Sequence, residues 1–360
     1  MKRRINLFEP SITTREINSV TKILMSKFWA SGSGIGKVKE FENTFTKFIG
    51  CKDTIAVNSG TAALHLAVST LKISKREILI PTITFVSTAH AAVYNEAKPV
   101  FVDVDEDTLN IDLQDLEKKI TKNTKAVIAV HFGGYPINLK KLQRICNDNK
   151  LTLIEDAAHA CGSSYDGKRI GSHSDLVCFS FHPVKNLASP SGGAITLNGT
   201  TINKKILNSR RWCGLSDRSG SLYDIKDLGW NYYMNEISAG IALVQLKRLN
   251  SLNKIRKNIA RKYFNRINLK KMPFSENSCY HLYWIRVKNR SLFMKNMSEA
   301  GIETGIHYKP LHLMNYYKSS EIQLKKSESI WNELVSIPMH ANLTDKDVEK
   351  IISNVNRYAK

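Results

Sequence analysis

The sequence has no Cys-x-x-Cys pair. Its six cysteines (Cys51, Cys146, Cys161, Cys178, Cys213 and Cys279) are scattered. That speaks against a zinc centre or a dithiol redox motif and fits reduced thiols in a cytosol. No apolar run approaches the roughly 18 residues of a membrane helix, so no membrane partner is expected. Met1 to Pro10 opens basic but carries no apolar stretch of the kind a signal peptide needs, and a cytoplasmic location is expected. Internal repeats, low-complexity tracts and disordered linkers are missing too. Acidic residues are scarce, 32 against 53 Lys and Arg, which leaves a net charge of +21. A nucleic-acid binder can look like this, but neither a recognised binding motif nor basic-aromatic interleaving accompanies the charge. No nucleic-acid partner is expected. Solvated Lys-rich helix faces are the first reading of the excess, and attraction of anionic substrates is the second.

A chain of 360 residues can bury a large core. Two domains are expected, a larger one over 1–245 and a smaller α+β one over 246–360. Helical spacing marks Arg15 to Met25 and Val38 to Phe48. Seven short apolar runs then read as strands: Thr54 to Val57, Glu77 to Ile80, Val100 to Val104, Ala126 to His131, Leu151 to Ile154, Leu176 to Phe181 and Ala194 to Leu197. Helical segments separate most of them, which argues a largely parallel sheet covered on both faces. Beyond Leu197 the pattern turns helical. A helix is expected through Ile237 to Leu249, and a second, Lys-Arg-rich one over Leu252 to Phe264. A strand over Cys279 to Val287, a helix over Ser291 to Ala300 and a last helix over Asp345 to Tyr358 complete the reading.

Two reactive groups stand about thirty residues apart at the ends of two of these strands. The run Leu151 to Ile154 ends in Glu155-Asp156, and Leu176 to Phe181 ends just before Lys185. Ligands bind at the carboxyl ends of strands in open α/β sheets. An acid and an amine delivered there suit pyridoxal phosphate: the lysine forms a Schiff base and the acid keeps the ring nitrogen protonated. Taken singly, Asp156 also reads as a helix N-cap and Lys185 as a solvated loop residue. The strand Thr54 to Val57 leads through Asn58-Ser59-Gly60-Thr61-Ala62 into a helix, and such a turn makes an anion site. A plain Ser or Thr cap would explain the same residues.

Taken together, Glu155-Asp-Ala-Ala-His159 and Ser180-Phe-His-Pro-Val-Lys185-Asn186 resemble the DegT/DnrJ/StrS family of pyridoxal-phosphate-dependent nucleotide-sugar aminotransferases. The resemblance runs from about Phe28 to about His312. It implies the aspartate-aminotransferase fold (fold type I), with a mostly parallel seven-stranded sheet. It also implies Lys185 and Asp156 as catalytic residues and pyridoxal 5'-phosphate as cofactor. Gly60, Thr61, Ala62 and Ser180 would hold the phosphate, Phe85 would stack on the ring, and His159 would orient Asp156 or the ring's 3-oxygen. Asn231, in Gly229-Trp-Asn-Tyr-Tyr233, would reach the neighbouring subunit's cofactor, so a homodimer with shared sites is implied. His307-Tyr308-Lys-Pro-Leu-His312 looks like the segment of members that aminate C4. His307, Tyr308 and His312 are therefore expected on the substrate, a nucleotide-linked keto-deoxysugar, with glutamate as donor, in surface polysaccharide or glycan biosynthesis. No metal is expected.

Three positions depart from the family pattern. Cys213 stands for a histidine, Tyr233 for an arginine, and Ala188 to Ser191 for an acidic loop. A C3 aminotransferase, another pyridoxal enzyme of this fold and a non-catalytic basic binding protein stand as alternatives. Related sugar dehydratases replace the lysine by histidine, and Lys185 counts against them.

Overall fold

The computed structural model describes residues 4–199, 204–219 and 222–359. Two amphipathic helices, α1 (Thr14–Ser26) and α2 (Gly36–Ile49), precede the sheet. Helix α1 starts where Thr13 and Glu16 cap each other's backbone, a capping box. Helix α2 has no side-chain cap of its own. The carboxylate of the distant Glu236 accepts from Lys37 N–H at 2.5 Å instead.

Alternation then sets in: β1 (Asp53–Val57), α3 (Gly60–Ser69), β2 (Glu77–Pro81), α4 (Ser87–Tyr94), β3 (Lys98–Val102), α5 (Leu113–Lys119), β4 (Thr124–Val130), α6 (Leu139–Asp148), β5 (Thr152–Asp156), β6 (Leu176–Ser180) and β7 (Gly193–Leu197). These seven strands form one sheet in the order β1-β7-β6-β5-β4-β2-β3. All pairings are parallel except the two made by β7. The fold is the α/β fold type I expected from the alternation and the resemblance, and each expected strand is there. Burial is nearly complete along β1, β2 and β4 to β7, as a sheet covered on both faces requires.

Beyond the sheet the sequence reading needs three corrections. The two helices expected around residue 250 are one, α8 (Glu236–Arg266), 31 residues long. Nothing in Asn250-Ser-Leu breaks a helix, and a buried stripe from Ala239 to Tyr263 runs straight through it. The division drawn at 245/246 thus falls inside a helix. Short α7 (Lys204–Arg210) is followed by a hairpin, β8 (Leu215–Ser219) with β9 (Leu222–Ile225), in a region read as helical. The strand expected over Cys279 to Val287 is only β10 (Tyr283–Arg286), because Tyr280 takes φ 50° and His281 N–H donates to the Gly133 carbonyl. Strand β10 pairs with β11 (Leu334–Ile337), flanked by α9 (Arg290–Glu299), α10 (Lys325–Glu333) and α11 (Asp345–Tyr358). Its core draws in Ile5, Ile83, Val104 and Phe132 from the front of the chain.

Candidate active site

A cavity of ≈ 440 Å³ opens at the strand ends, within the size range of small-molecule sites. Its walls come from the residues that follow β1 (Asn58 to Thr61), β2 (Thr84 to Thr88), β5 (Asp156 to His159) and β6 (Ser180 to Lys185). Gly60, Thr61, Phe85, Asp156, His159, Ser180, Lys185, His307 and Tyr308 all line it. The structure therefore brings together nine of the positions singled out in the sequence, from segments up to 248 residues apart.

At one end the N-terminus of α3 faces the cavity. Ser59 caps the helix by accepting from Ala62 N–H at 3.1 Å, and the Thr61 and Ser87 hydroxyls lie 2.6 Å apart. A Cβ on Gly60 would come within 2.7 Å of the Ser180 Cβ, so only glycine lets the turn sit against β6. Ala62 is buried in the same turn and does not line the cavity.

In the middle are the two charged groups. Asp156 Oδ1 accepts from Ala158 N–H at 3.1 Å and Oδ2 from the Thr88 hydroxyl at 2.9 Å; Thr88 in turn meets Thr84. Burial pushes the carboxyl's pKa up, opposed by those two hydrogen bonds and by the charge of Lys185. Lys185 sits in a turn closed by its own N–H on the His182 carbonyl. Burial pulls its pKa down to about 8, against the pull of Asp156. Neighbouring Asn186 anchors the turn, donating to Asn253 of α8 and to the Cys279 carbonyl.

The opposite wall is made of rings. His159 accepts from Gly133 N–H at Nδ1 and places Nε2 3.3 Å from the Tyr308 hydroxyl. An Nδ1 that accepts leaves the proton of a neutral imidazole on Nε2. Burial, reinforced by Lys185, holds His159 well below the usual histidine range and takes His307 down to about 4. Phe85 is about half exposed at the rim, its ring centroid 6.0 Å from that of Tyr308.

Besides Ala62, two expected site residues are not brought to the cavity. His312 is buried with both ring nitrogens occupied, Nδ1 by the Thr82 hydroxyl at 2.6 Å and Nε2 by Glu328 at 3.2 Å. It fastens the chain after Tyr308 to β2 and has nothing left for a substrate. Asn231 is exposed, outside the cavity of its own chain, with its carbonyl accepting from Asn58. Arg211 is buried in an ion pair with Glu42, structural rather than ligand-facing. The loop that departs from the family is pinned by its own hydroxyls, Ser189 to the Ser238 carbonyl and Ser191 to the Asn58 carbonyl.

Sequence reasoning missed Thr88, the partner of Asp156, and His281, whose Nε2 is 3.4 Å from Lys185 Nζ. A signal existed for each. Thr84 and Thr88 are one turn apart beside a strand end, and His281 is a lone polar residue in an apolar run.

The donor set fits pyridoxal 5'-phosphate: a helix N-terminus for an anion, a buried carboxylate for a ring nitrogen, and a half-buried lysine amine of lowered pKa. Comparison with known proteins agrees. The chain is 33% identical to the spore coat polysaccharide biosynthesis protein SpsC of Bacillus subtilis, over 98% of this chain and 96% of that one. Among solved structures it matches Helicobacter pylori PseC, an aminotransferase of pseudoaminic acid biosynthesis, with TM-score 0.93, 28% identity and 99% of both chains covered. Spr1654 of Streptococcus pneumoniae, solved in PLP and PMP forms, matches at TM-scores 0.91 and 0.92, with 28% and 29% identity over 99% of this chain and 98% of that one. The model of the DegT/DnrJ/EryC1/StrS aminotransferase family matches residues 10–356, and the chain belongs to that family of pyridoxal-phosphate-dependent enzymes.

Proposed function

We propose that this aminotransferase moves the amino group of glutamate to C4 of a nucleotide-linked 4-keto-6-deoxyhexose, for a surface polysaccharide or glycan. The carrying observation is the half-buried Lys185 with its amine in the same cavity as Asp156, and Tyr308 and His307 on the facing wall. The bound cofactor supplies an electron sink for the substrate carbanion. Gly60, Thr61 and Ser180 bind its phosphate, and Asp156, held by Thr88 and Ala158, keeps its ring nitrogen protonated. Lys185 moves the proton at the substrate carbon; with a pKa near 8, part of it is uncharged near neutrality and can act as base. The Nε2–H of His159 donates to the Tyr308 oxygen, which leaves the Tyr308 O–H to donate toward the sugar. The preference for C4 over C3 rests on the resemblance of the segment from His307 to His312, of which His307 and Tyr308 line the cavity. Offering 4-keto and 3-keto nucleotide sugars separately with glutamate, and identifying the product by NMR, tests it. An amino group at C3, or no turnover with 4-keto sugars of the common nucleotides, refutes it.

The working unit in this reading is a homodimer with shared sites. Ile12, Ile17, Leu24, Met25, Trp29 and Ile35 are exposed on and beside α1 and α2, apolar side chains that a second copy would cover. The apolar groove beneath α1 is bounded by Pro190, which also lines the cofactor cavity. A second copy seated there would touch the loop that closes the site, and exposed Asn231 is free to reach across. Mixing Lys185→Ala chains with impaired Asn231→Ala chains should restore part of the activity; no complementation counts against sharing.

A further inference from the structure

Lys185 has a neighbour for which the proposed chemistry gives no task. His281 is buried behind the lysine and does not line the cavity. We propose that His281 is a positioning residue for Lys185: while the lysine is not attached to the cofactor, imidazole Nε2 holds its amino group, 3.4 Å away, against the cavity wall.

Both partners are fixed from behind. Asn186, next to the lysine, donates to the carbonyl of Cys279, two residues before the histidine. His281 N–H is itself bound to the Gly133 carbonyl. The imidazole is clamped between Phe8, stacked at 5.3 Å and 10°, and His159 at 4.4 Å. Its Nδ1 is buried without a partner among the described residues. A buried polar atom left unpaired in this way asks for an explanation. Here the ring is oriented for the contact made by its other nitrogen.

The charge balance suits the task. Asp156, His159, His182 and His307 share Lys185's surroundings. Burial, then Lys185, His159, Arg256 and His307, hold His281 well below the usual histidine range. An uncharged imidazole gives the amine a hydrogen-bond partner without a second positive charge, so the lysine keeps its low proton affinity. A carboxylate there would raise that affinity, and an apolar side chain would let a four-carbon stem wander.

The inference rests on Lys185 being the cofactor lysine, and the experiment separates the two. Borohydride trapping of the loaded wild-type enzyme, followed by peptide mapping, should mark Lys185; a mark elsewhere defeats that reading first. His281→Leu fills the space without a hydrogen bond, and His281→Gln retains one. Both should still load and become yellow. Bleaching by glutamate in a single turnover should slow about tenfold in the Leu variant, the scale of one lost hydrogen bond, and stay within about threefold in the Gln variant. With α-deuterated glutamate the isotope effect should rise in the Leu variant, because the lysine's proton transfer becomes limiting. Unchanged bleaching and isotope effect in the Leu variant overturn the proposal. A readout without turnover covers a Leu variant that fails to fold. Histidine-selective 15N NMR of the wild type, with His281 assigned by its loss in the Gln variant, should show its Nε2 signal move when pyridoxal phosphate is added to the apoprotein. A signal indifferent to loading refutes the contact.

Discussion

The two walls of the cavity are built on opposite electrostatic plans. The sheet side carries formal charge, Asp156 at the end of β5, held by Ala158 and Thr88, and Lys185 in the turn after β6. The facing side carries His159 and His307, both held uncharged by burial beside Lys185, and the Tyr308 phenol. The difference separates labour. In the proposed function, charge stands where the cofactor's own charges would develop, and neutral donors and acceptors stand where a sugar would have to be oriented without being gripped. A second cation on the ring side would raise the cost of every protonated state of Lys185.

The comparison can be broken hardest from the charged side. Lys185→Ala should lower turnover at least a thousandfold, since it removes both the attachment point and the proton carrier. Its affinity for pyridoxamine phosphate, measured by equilibrium titration, should survive. Asp156→Asn keeps the shape and removes the charge, and should lower kcat by a few hundredfold, about 3–4 kcal/mol. Effects on the neutral wall should be smaller and of another kind. Tyr308→Phe removes one donor and should lower kcat/KM for the sugar about tenfold, with the glutamate half-reaction nearly untouched. His312→Ala, four residues on, should leave kcat/KM within about twofold while lowering unfolding stability by about 1–3 kcal/mol, because Thr82 loses a buried partner. A comparable loss of activity in both variants would erase the distinction between a cavity residue and a fastener.

The same division explains what the sequence disclosed. The charged wall was legible because each of its parts is local: a strand, a turn and a reactive residue lie within a few positions of one another, as in Leu151 to His159 and Leu176 to Lys185. The sheet was legible for the same reason, since every strand is an apolar run bounded by turns. The neutral wall comes from long-range packing. Tyr308 reaches His159 across 149 residues, a distance over which spacing carries no signal. The same holds for two supports of the charged groups, His281 at Lys185 across 96 residues and Thr88 at Asp156 across 68. His312 misled because a histidine four residues beyond a cavity residue looks the same in sequence whether its ring faces in or out. The two helices expected around Asn250 misled because a change of composition, from apolar to Lys-rich, is not a break in helical propensity.

Helix α8 sets a mechanical condition on the whole molecule. Its 31 residues make a rod of roughly 46 Å. Its front half is buried against the sheet's helices, and its rear half contributes Ile259, Ala260 and Tyr263 to the core around β10. Asn253, near its middle, holds Asn186 beside the lysine. A strut anchored in both cores and braced at the active lysine transmits displacement instead of absorbing it. The helix is unbroken along this link, so any displacement of one core against the other would have to bend it.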